Sequence, residues 1–409
     1  MTLLLRLALR NVFRNRARTA IALLAIAIGC AALIVNGGLI HNIFEELRED
    51  AIHGRHAHIQ IYRRGYTDHH LGDPGAYLIP RAESEQILTL VRRLPHVERA
   101  ARQREFSGMI AAGERHVSFV GIGVDPAEDA AFSRHVLMRR GEPLSARDPY
   151  EIICGLGLAE KFSGEPGRVV TLMTNTDSGA LNAVDVTLRG VFEGGMKAYD
   201  DWTLKMPLAA LEELLLDDRT EKILILLDRT KSVPEVQRTL DGLFRKQGLN
   251  LETRTWRDLA LFHNQVVGLF NRELDIIKII IGTIVVLGIA NTIGMSVLER
   301  RMELATLRAL GIRRQAVAGL LFIEALITGL LGGALGVILG CATARLVTTV
   351  GIPFPSPPGA TRPFVGGADI VPEMILFAFL LSLTATLLAS LAPIWKAWRW
   401  RIVGALRGA

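Results

Sequence analysis

The stretch ERRMELATLRALGIRRQ, residues 299–315, decides how this chain is to be read. It holds five arginines against two glutamates and is built of strong helix formers. Long apolar runs flank it on both sides. Upstream lies Ile276 to Leu298, whose one charge is Lys278, and downstream lies Ala316 to Ala344, whose one charge is Glu324. A spanning helix needs about 20 mostly apolar residues. A cationic segment between two such runs therefore reads as a short cytoplasmic loop, because Lys and Arg are retained on that side. Two further windows qualify as spans, Thr19 to Ile40 and Met374 to Trp395.

The charges orient all four. Residues 1–18 carry Arg6, Arg10, Arg14, Arg16 and Arg18 and no acid, and the tail from Lys396 has four basic residues and no acid. Together with the 299–315 loop these segments hold 14 basic and 2 acidic residues, while the whole chain is only +6. The remainder is thus net acidic, and four spans put all three basic segments on one side of the membrane. Both termini are predicted to be cytoplasmic. The pI near 9.4 follows from this asymmetry and calls for no nucleic-acid partner. The first span runs past signal-peptide length, and Val35-Asn36-Gly37-Gly38 at its end is no A-x-A-like cleavage site, so it is read as a retained helix.

The region 41–271 then lies outside, in the periplasm of a two-membrane bacterium. All ten histidines fall in it. Cys30 and Cys341 sit in membrane runs, which leaves Cys154 alone outside and excludes an internal disulfide there. Period-two apolar spacing marks strands at 57–62 and 117–122, and 168–173, 184–191 and 222–227 read as further strands. Helical patterns cover 82–94, 208–216 and 233–247. Short strands and helices without strict alternation predict an α+β domain. The fold class is an α-helical membrane protein with four transmembrane helices and a large α+β extracytoplasmic domain between helices 1 and 2. The remaining spans are placed at about 273–298, 316–345 and 372–395. A Pro-rich outer loop at 349–371 contains PFPSPPG (353–359), a rigid connector.

The 299–315 loop resembles the segment after the second transmembrane helix in ABC-transporter permeases of the MacB/FtsX/LolC type, E-R-x-x-E-[aliphatic]-[small]-x-[LI]-R-A-[LI]-G. Glu299, Arg300, Glu303, Leu304, Ala305, Leu307, Arg308, Ala309, Leu310 and Gly311 match it position by position. Looser likenesses fall at 153–159 and 201–208, at Ala8-Leu9-Arg10-Asn11, and at Leu391-Ala392-Pro393 with Ala405-Leu406-Arg407; Ile402 stands where proline is usual. The resemblance implies an inner-membrane permease that dimerises, as a homo- or heterodimer, and works by mechanotransmission. ATP and Mg would be bound by a partner ATPase, since no G-x-x-x-x-G-K-[ST] occurs in these 409 residues; the chain is not expected to be an enzyme or to hold a cofactor. ATPase coupling would fall to Glu299, Arg300, Arg301, Glu303, Leu304, Ala305, Leu307, Arg308, Ala309 and Gly311. Leu304 and Leu307 share a helical face, with Met302, Ala305 and Ala309 beside it, and are expected to be exposed to the partner. Gly311 suits a helix end. The implied substrate is a lipid, lipoprotein or other amphiphile, passed to a periplasmic carrier or adaptor. The alternatives are a tripartite efflux pump component and a non-transporting regulator of a cell-wall hydrolase.

Three features carry chemistry or packing. Glu324 is ionisable inside a span, and an ion pair with a loop arginine is preferred to a proton relay. Gly332, Gly336 and Gly340 recur every fourth residue, a spacing that lets helices approach closely within the subunit or across a dimer. His53, His56 and His58, with Asp68, His69 and His70, fit no standard metal spacing and are read as surface histidines, with no metal site.

Overall fold

In a computed structural model, which describes residues 2–14, 16–69, 74–354, 361 and 364–399, each apolar run becomes a helix. The chain divides into two units. One comprises Met1–Phe44, Val266–Phe354 and Val365–Ala409, and the other Glu45–Gln265 and Pro355–Phe364. The first unit holds the helices α1 (Thr2–Arg14), α4 (Arg301–Ala309), α5 (Arg314–Val350) and α6 (Pro372–Trp398) and most of α2 (Arg16–Ala51) and α3 (Leu261–Glu299). Among the described residues four helices are long and apolar enough to cross a membrane: Thr19–His56, Asn264–Glu299, Arg314–Val350 and Pro372–Trp398. They outrun the apolar windows because polar side chains continue them. In α2, Arg48 pairs with Glu45 one turn back and with Glu49, which sustains the helix beyond its apolar part. That helix ends in a π-helical turn, Ile52–His56, after which Ala57 takes φ +52.

The glycine row of α5 packs inside the subunit. A Cβ on Gly332 would meet Ile26, one on Gly336 would meet Cys30 and Ala27, and one on Gly340 would meet Ile34 and Ala31, all on α2. Gly329 and Gly333 instead lie against Thr386, Phe379 and Ser382 of α6. Small residues on two faces thus let α5 sit close to two neighbours at once.

The second unit is a ten-stranded mixed sheet flanked by helices. Its strands are β1 (Ile59–Arg63), β2 (Val97–Ala112), β3 (Arg115–Val124), β4 (Leu137–Gly141), β5 (Glu151–Gly155), β6 (Val169–Asn175), β7 (Leu181–Glu193), β8 (Thr203–Pro207), β9 (Lys222–Leu227) and β10 (Leu251–Thr255). The order is β10-β1-β9-β2-β3-β8-β5-β7-β4, with β6 paired to β2 and β7. The pairs β3–β8 and β5–β7 are parallel, and the others are antiparallel. Strand β9, KILILL, is buried along its whole length, as befits a strand covered on both faces. Two cores result. One gathers Ile59, Ile61, Ile225, Val236, Leu240 and Phe244, and the other Ile110, Leu158, Phe162, Leu172, Leu188 and Leu211. Strand β2 belongs to both, pairing β9 through Val97–Gln103 and β3 through Gln103–Ala112.

The α+β reading therefore holds, but β2, β4, β5, β8 and β10 were not read as strands from the sequence. His58 corrects the surface reading. It is buried at the head of β1, where Nδ1 accepts from the Leu227 amide at 3.1 Å and Nε2 lies 3.1 Å from the Thr230 hydroxyl. Burial, reinforced by nearby His53, pushes its pKa down to about 4. His70, residues 355–359 of the PFPSPPG loop, Ile402 and Ala405-Leu406-Arg407 lie outside the described residues.

Candidate functional site

The loop between α3 and α5 folds as the short helix α4. Its end is a Schellman motif: the Gly311 amide donates to the Arg308 carbonyl at 3.1 Å and the Ile312 amide to the Leu307 carbonyl at 3.2 Å. Gly311 takes φ +93, a left-handed conformation that strains side-chain-bearing residues. The motif caps the helix and turns the chain sharply toward α5.

Burial within the unit decides which face of α4 is available. Leu304 is 2% exposed and packs with Val297, Val317, Leu321 and Ala397, where Leu307 joins it half-buried, and Ala305 is 4% exposed. Leu304 and Leu307, expected to be exposed to a partner, are therefore turned into the chain's own core. The adjacent strip of Met302, Ala305 and Ala309 is split, with Ala305 buried and Met302 and Ala309 outward. The outward side chains are Met302, 58% exposed, and Leu310, 77% exposed, with Thr306, Ala309 and Ile312 between and beside them.

A polar network fixes α4 to two other helices. Arg300, at its N-terminal boundary, donates through one guanidinium nitrogen to both Glu324 oxygens at 3.1 Å, and Asn11 of α1 donates to Glu324 Oε1 at 2.6 Å. Arg14 of α1 reaches both oxygens of Glu303 at 2.8 and 2.9 Å, and Arg300 Nε reaches Glu303 Oε2 at 3.3 Å. The hydrogen bonds from Arg14 hold the Glu303 carboxyl below the usual carboxylate range. The two links differ in weight. Arg14 and Glu303 are each about half exposed, where an ion pair is worth at most about 1 kcal/mol. Arg300 and Glu324 are each 15% exposed, so losing either partner would leave a largely desolvated charge. Glu324 accepts three hydrogen bonds and joins α1, the start of α4 and the middle of α5. A cavity of about 350 Å³ lies beside it, lined in part by Asn11, Thr292, Arg300 and Thr328. The Asn11 and Arg14 contacts span about 300 residues of sequence. The sequence signal for them was the amphipathic Arg/Asn pattern of residues 6–14, which showed a helix but not its partner.

Arg301 and Arg308 lie partly covered along α4, and Glu299 ends α3. Gly332, Gly336 and Gly340 lie elsewhere, on the face of α5 that meets α2.

Two family models match the chain. Residues 19–243 match the MacB-like periplasmic core domain and residues 276–399 the FtsX-like permease C-terminal. Among curated proteins, the chain is 24% identical over 337 residues to the lipoprotein-releasing system transmembrane protein LolC of Neisseria meningitidis, covering 79% of this chain and 76% of that one. It is 23% identical over 412 residues to an uncharacterised ABC transporter permease, YvrN, of Bacillus subtilis, covering 93% and 96%. To the macrolide export ATP-binding/permease protein MacB of Bdellovibrio bacteriovorus it is 21% identical over 82% of this chain, and it spans about half (53%) of that protein's length. A solved periplasmic region of MacB from Actinobacillus actinomycetemcomitans aligns with 52% of this chain and 93% of its own length, at 12% identity and TM-score 0.36.

Proposed function

The chain belongs to the family of ABC-transporter permeases that join a MacB-like periplasmic core domain to an FtsX-like permease C-terminal, and from that premise we propose that α4 couples it to an ATP-hydrolysing subunit. The observation that carries this reading is the outward apolar face of α4, Met302 through Ile312, on a helix held by Arg300–Glu324. Exposed apolar side chains among arginines fit a protein partner better than water. Both termini and α4 are cytoplasmic in this proposal, and the second unit is periplasmic. A second permease copy or a related permease, together with lipid, would cover α3, whose Ile276, Ile279, Ile280, Ile284 and Leu287 are all more than half exposed. The substrate class we favour is a lipid, lipoprotein or other amphiphile released to a periplasmic carrier. Supporting it is a match to LolC that covers most of both chains.

The test is reconstitution of the full chain in nanodiscs with an ABC ATPase from the same genome. The wild type should assemble with it and hydrolyse ATP. Leu310→Asp should place an unpaired carboxylate in the contact and weaken assembly at least tenfold, a cost of about 1.4 kcal/mol or more, without moving the permease's own unfolding midpoint. Unchanged assembly in that variant would refute α4 as the coupling element. ATP-dependent release of a fluorescent acylated peptide from the disc tests the substrate class separately.

A further inference from the structure

One face of the sheet in the second unit is polar where an interior is ordinarily apolar. Tyr62 of β1 lies opposite Lys222 of β9, Lys222 opposite Gln103 of β2, and Ile122 of β3 opposite both Glu105 of β2 and Lys205 of β8. A cavity of about 520 Å³ lies against this row, lined also by the π-helical turn Ile52–His56 and helix Pro126–Phe132. A cavity of that volume is in the range of small-molecule sites.

The charges around it are not all committed. Buried Lys222 pairs with Glu105 and, at 3.4 Å, with Glu221. Buried Lys205 binds Asp129 at 2.8 Å and Ser133. Those two lysines pair with the three carboxylates on the cavity wall and leave one negative charge in excess, which the charge of Arg55 offsets, so an anion would be held there by directed donors and not by surplus charge. Arg55, in the π-helical turn, has no such counter-charge. Its guanidinium donates to the Met196 sulfur and lies 5.8 Å from the centre of the Tyr199 ring, and among the described residues no carboxylate is within ion-pair distance of it. Asp50 and Asp200 act on it only through space; Asp50 is bound to His135 at 2.9 Å, and Asp200 accepts from the Gly194 amide and the Thr361 hydroxyl. Three further donors line the same cavity without a hydrogen-bond partner among the described residues and keep access to it: the Gln103 amide, the hydroxyl of Thr203 and the Tyr199 hydroxyl. Donors that open onto a cavity can serve a ligand there, and a fork of guanidinium N–H groups matches a tetrahedral oxyanion.

We propose that this cavity binds a phosphate ester, with Arg55 as its charge partner and Gln103, Thr203 and Tyr199 as neutral donors. The ester is the head of a lipid or a small soluble phosphate, and the experiment separates the two. The full chain is purified in phosphatidylcholine nanodiscs and titrated with glycerol phosphate at constant ionic strength; in a second arm the discs contain increasing phosphatidic acid. The readout is the unfolding midpoint. Saturable stabilisation by glycerol phosphate assigns a soluble ligand, and saturation only with phosphatidic acid assigns a lipid head. In either arm Arg55→Met should weaken binding at least tenfold, Arg55→Lys less, and the exposed Arg93→Gln not at all. Tyr199→Phe keeps the ring, removes one donor and should weaken binding severalfold even if Arg55→Met fails to fold. Stabilisation that never saturates, or that survives unchanged in Arg55→Met or, where that variant does not fold, in Tyr199→Phe, overturns the proposal.

Discussion

Replacing Gly336 with alanine tests the helix packing most sharply. The added Cβ would stand 2.5 Å from Cys30 Cβ and 3.0 Å from the Ala27 carbonyl oxygen, a backbone atom that no rotamer change can move. Ordinary carbon contacts are about 3.5–4.0 Å, so α2 and α5 must part locally by roughly 1–1.5 Å. A gap of 0.5–1 Å already forfeits about a quarter to a half of the dispersion well, and the neighbouring contacts of Gly332 and Gly340 open with it. Overpacking of this kind costs about 1–3 kcal/mol. Gly319, on the same helix, has nothing within 4 Å of the point where a methyl carbon would stand, so Gly319→Ala should gain up to about 1 kcal/mol from helix propensity. Both changes share that propensity gain, so they should differ by the overpacking cost, about 1–3 kcal/mol, with Gly336→Ala the less stable. Equilibrium unfolding of the full chain in mixed micelles measures this. A Gly336→Ala variant as stable as Gly319→Ala would show that α2 and α5 are not in this contact. Gly340→Ala should be milder, because its nearest obstacle is the mobile end of Ile34.

Three other outcomes follow from particular residues. His58 titrates near 6.5 when unfolded but near 4 in the fold, so its stabilising contribution is whole above pH 6.5 and is lost as pH falls toward 4, about 3 kcal/mol in all; His58→Gln should flatten the pH dependence of the unfolding free energy over that window, and an unaltered slope would refute the assignment. Burial pushes the Cys154 thiol up to about 12, only partly offset by Arg140, so at pH 8 peptide mapping should find it labelled by maleimide only in denaturant; rapid native labelling would show an open site. In a cysteine-free background, cysteines at Ser178 and Gln315 should label from opposite sides of the membrane, and equal access from outside would sink the proposed orientation.

The membrane helices were legible because about 20 apolar residues in a row admit few other readings. The strand β2 was not, since VERAARQREF puts charges on both of its faces. The fold satisfies them with distant partners: Arg99 with Glu128, Arg102 with Glu212, Arg104 with Asp177 and Asp217, and Glu105 with Lys222. No local pattern contains those pairings. The same limit applies at α4. The 3.6-residue period shows that Leu304 and Leu307 share a face, but only Val317, Leu321 and Ala397, packed beneath them, decide that the face points inward. Glu324 announced itself by its charge, whereas Asn11 became visible only once α1 was placed beside α5.

Strand β2 also bears on how the periplasmic-type unit can come apart. Two hydrophobic cores joined by a linker could melt one after the other or be exchanged like cassettes. Here the two share sixteen residues of continuous backbone, hydrogen-bonded to β9 along one stretch and to β3 and β6 along the next. Losing either core strips half the ladder from a strand the other core needs, so the unit should melt as a single cooperative block. A graft taken from a relative must carry both cores, because any seam placed between them would cut through the middle of β2.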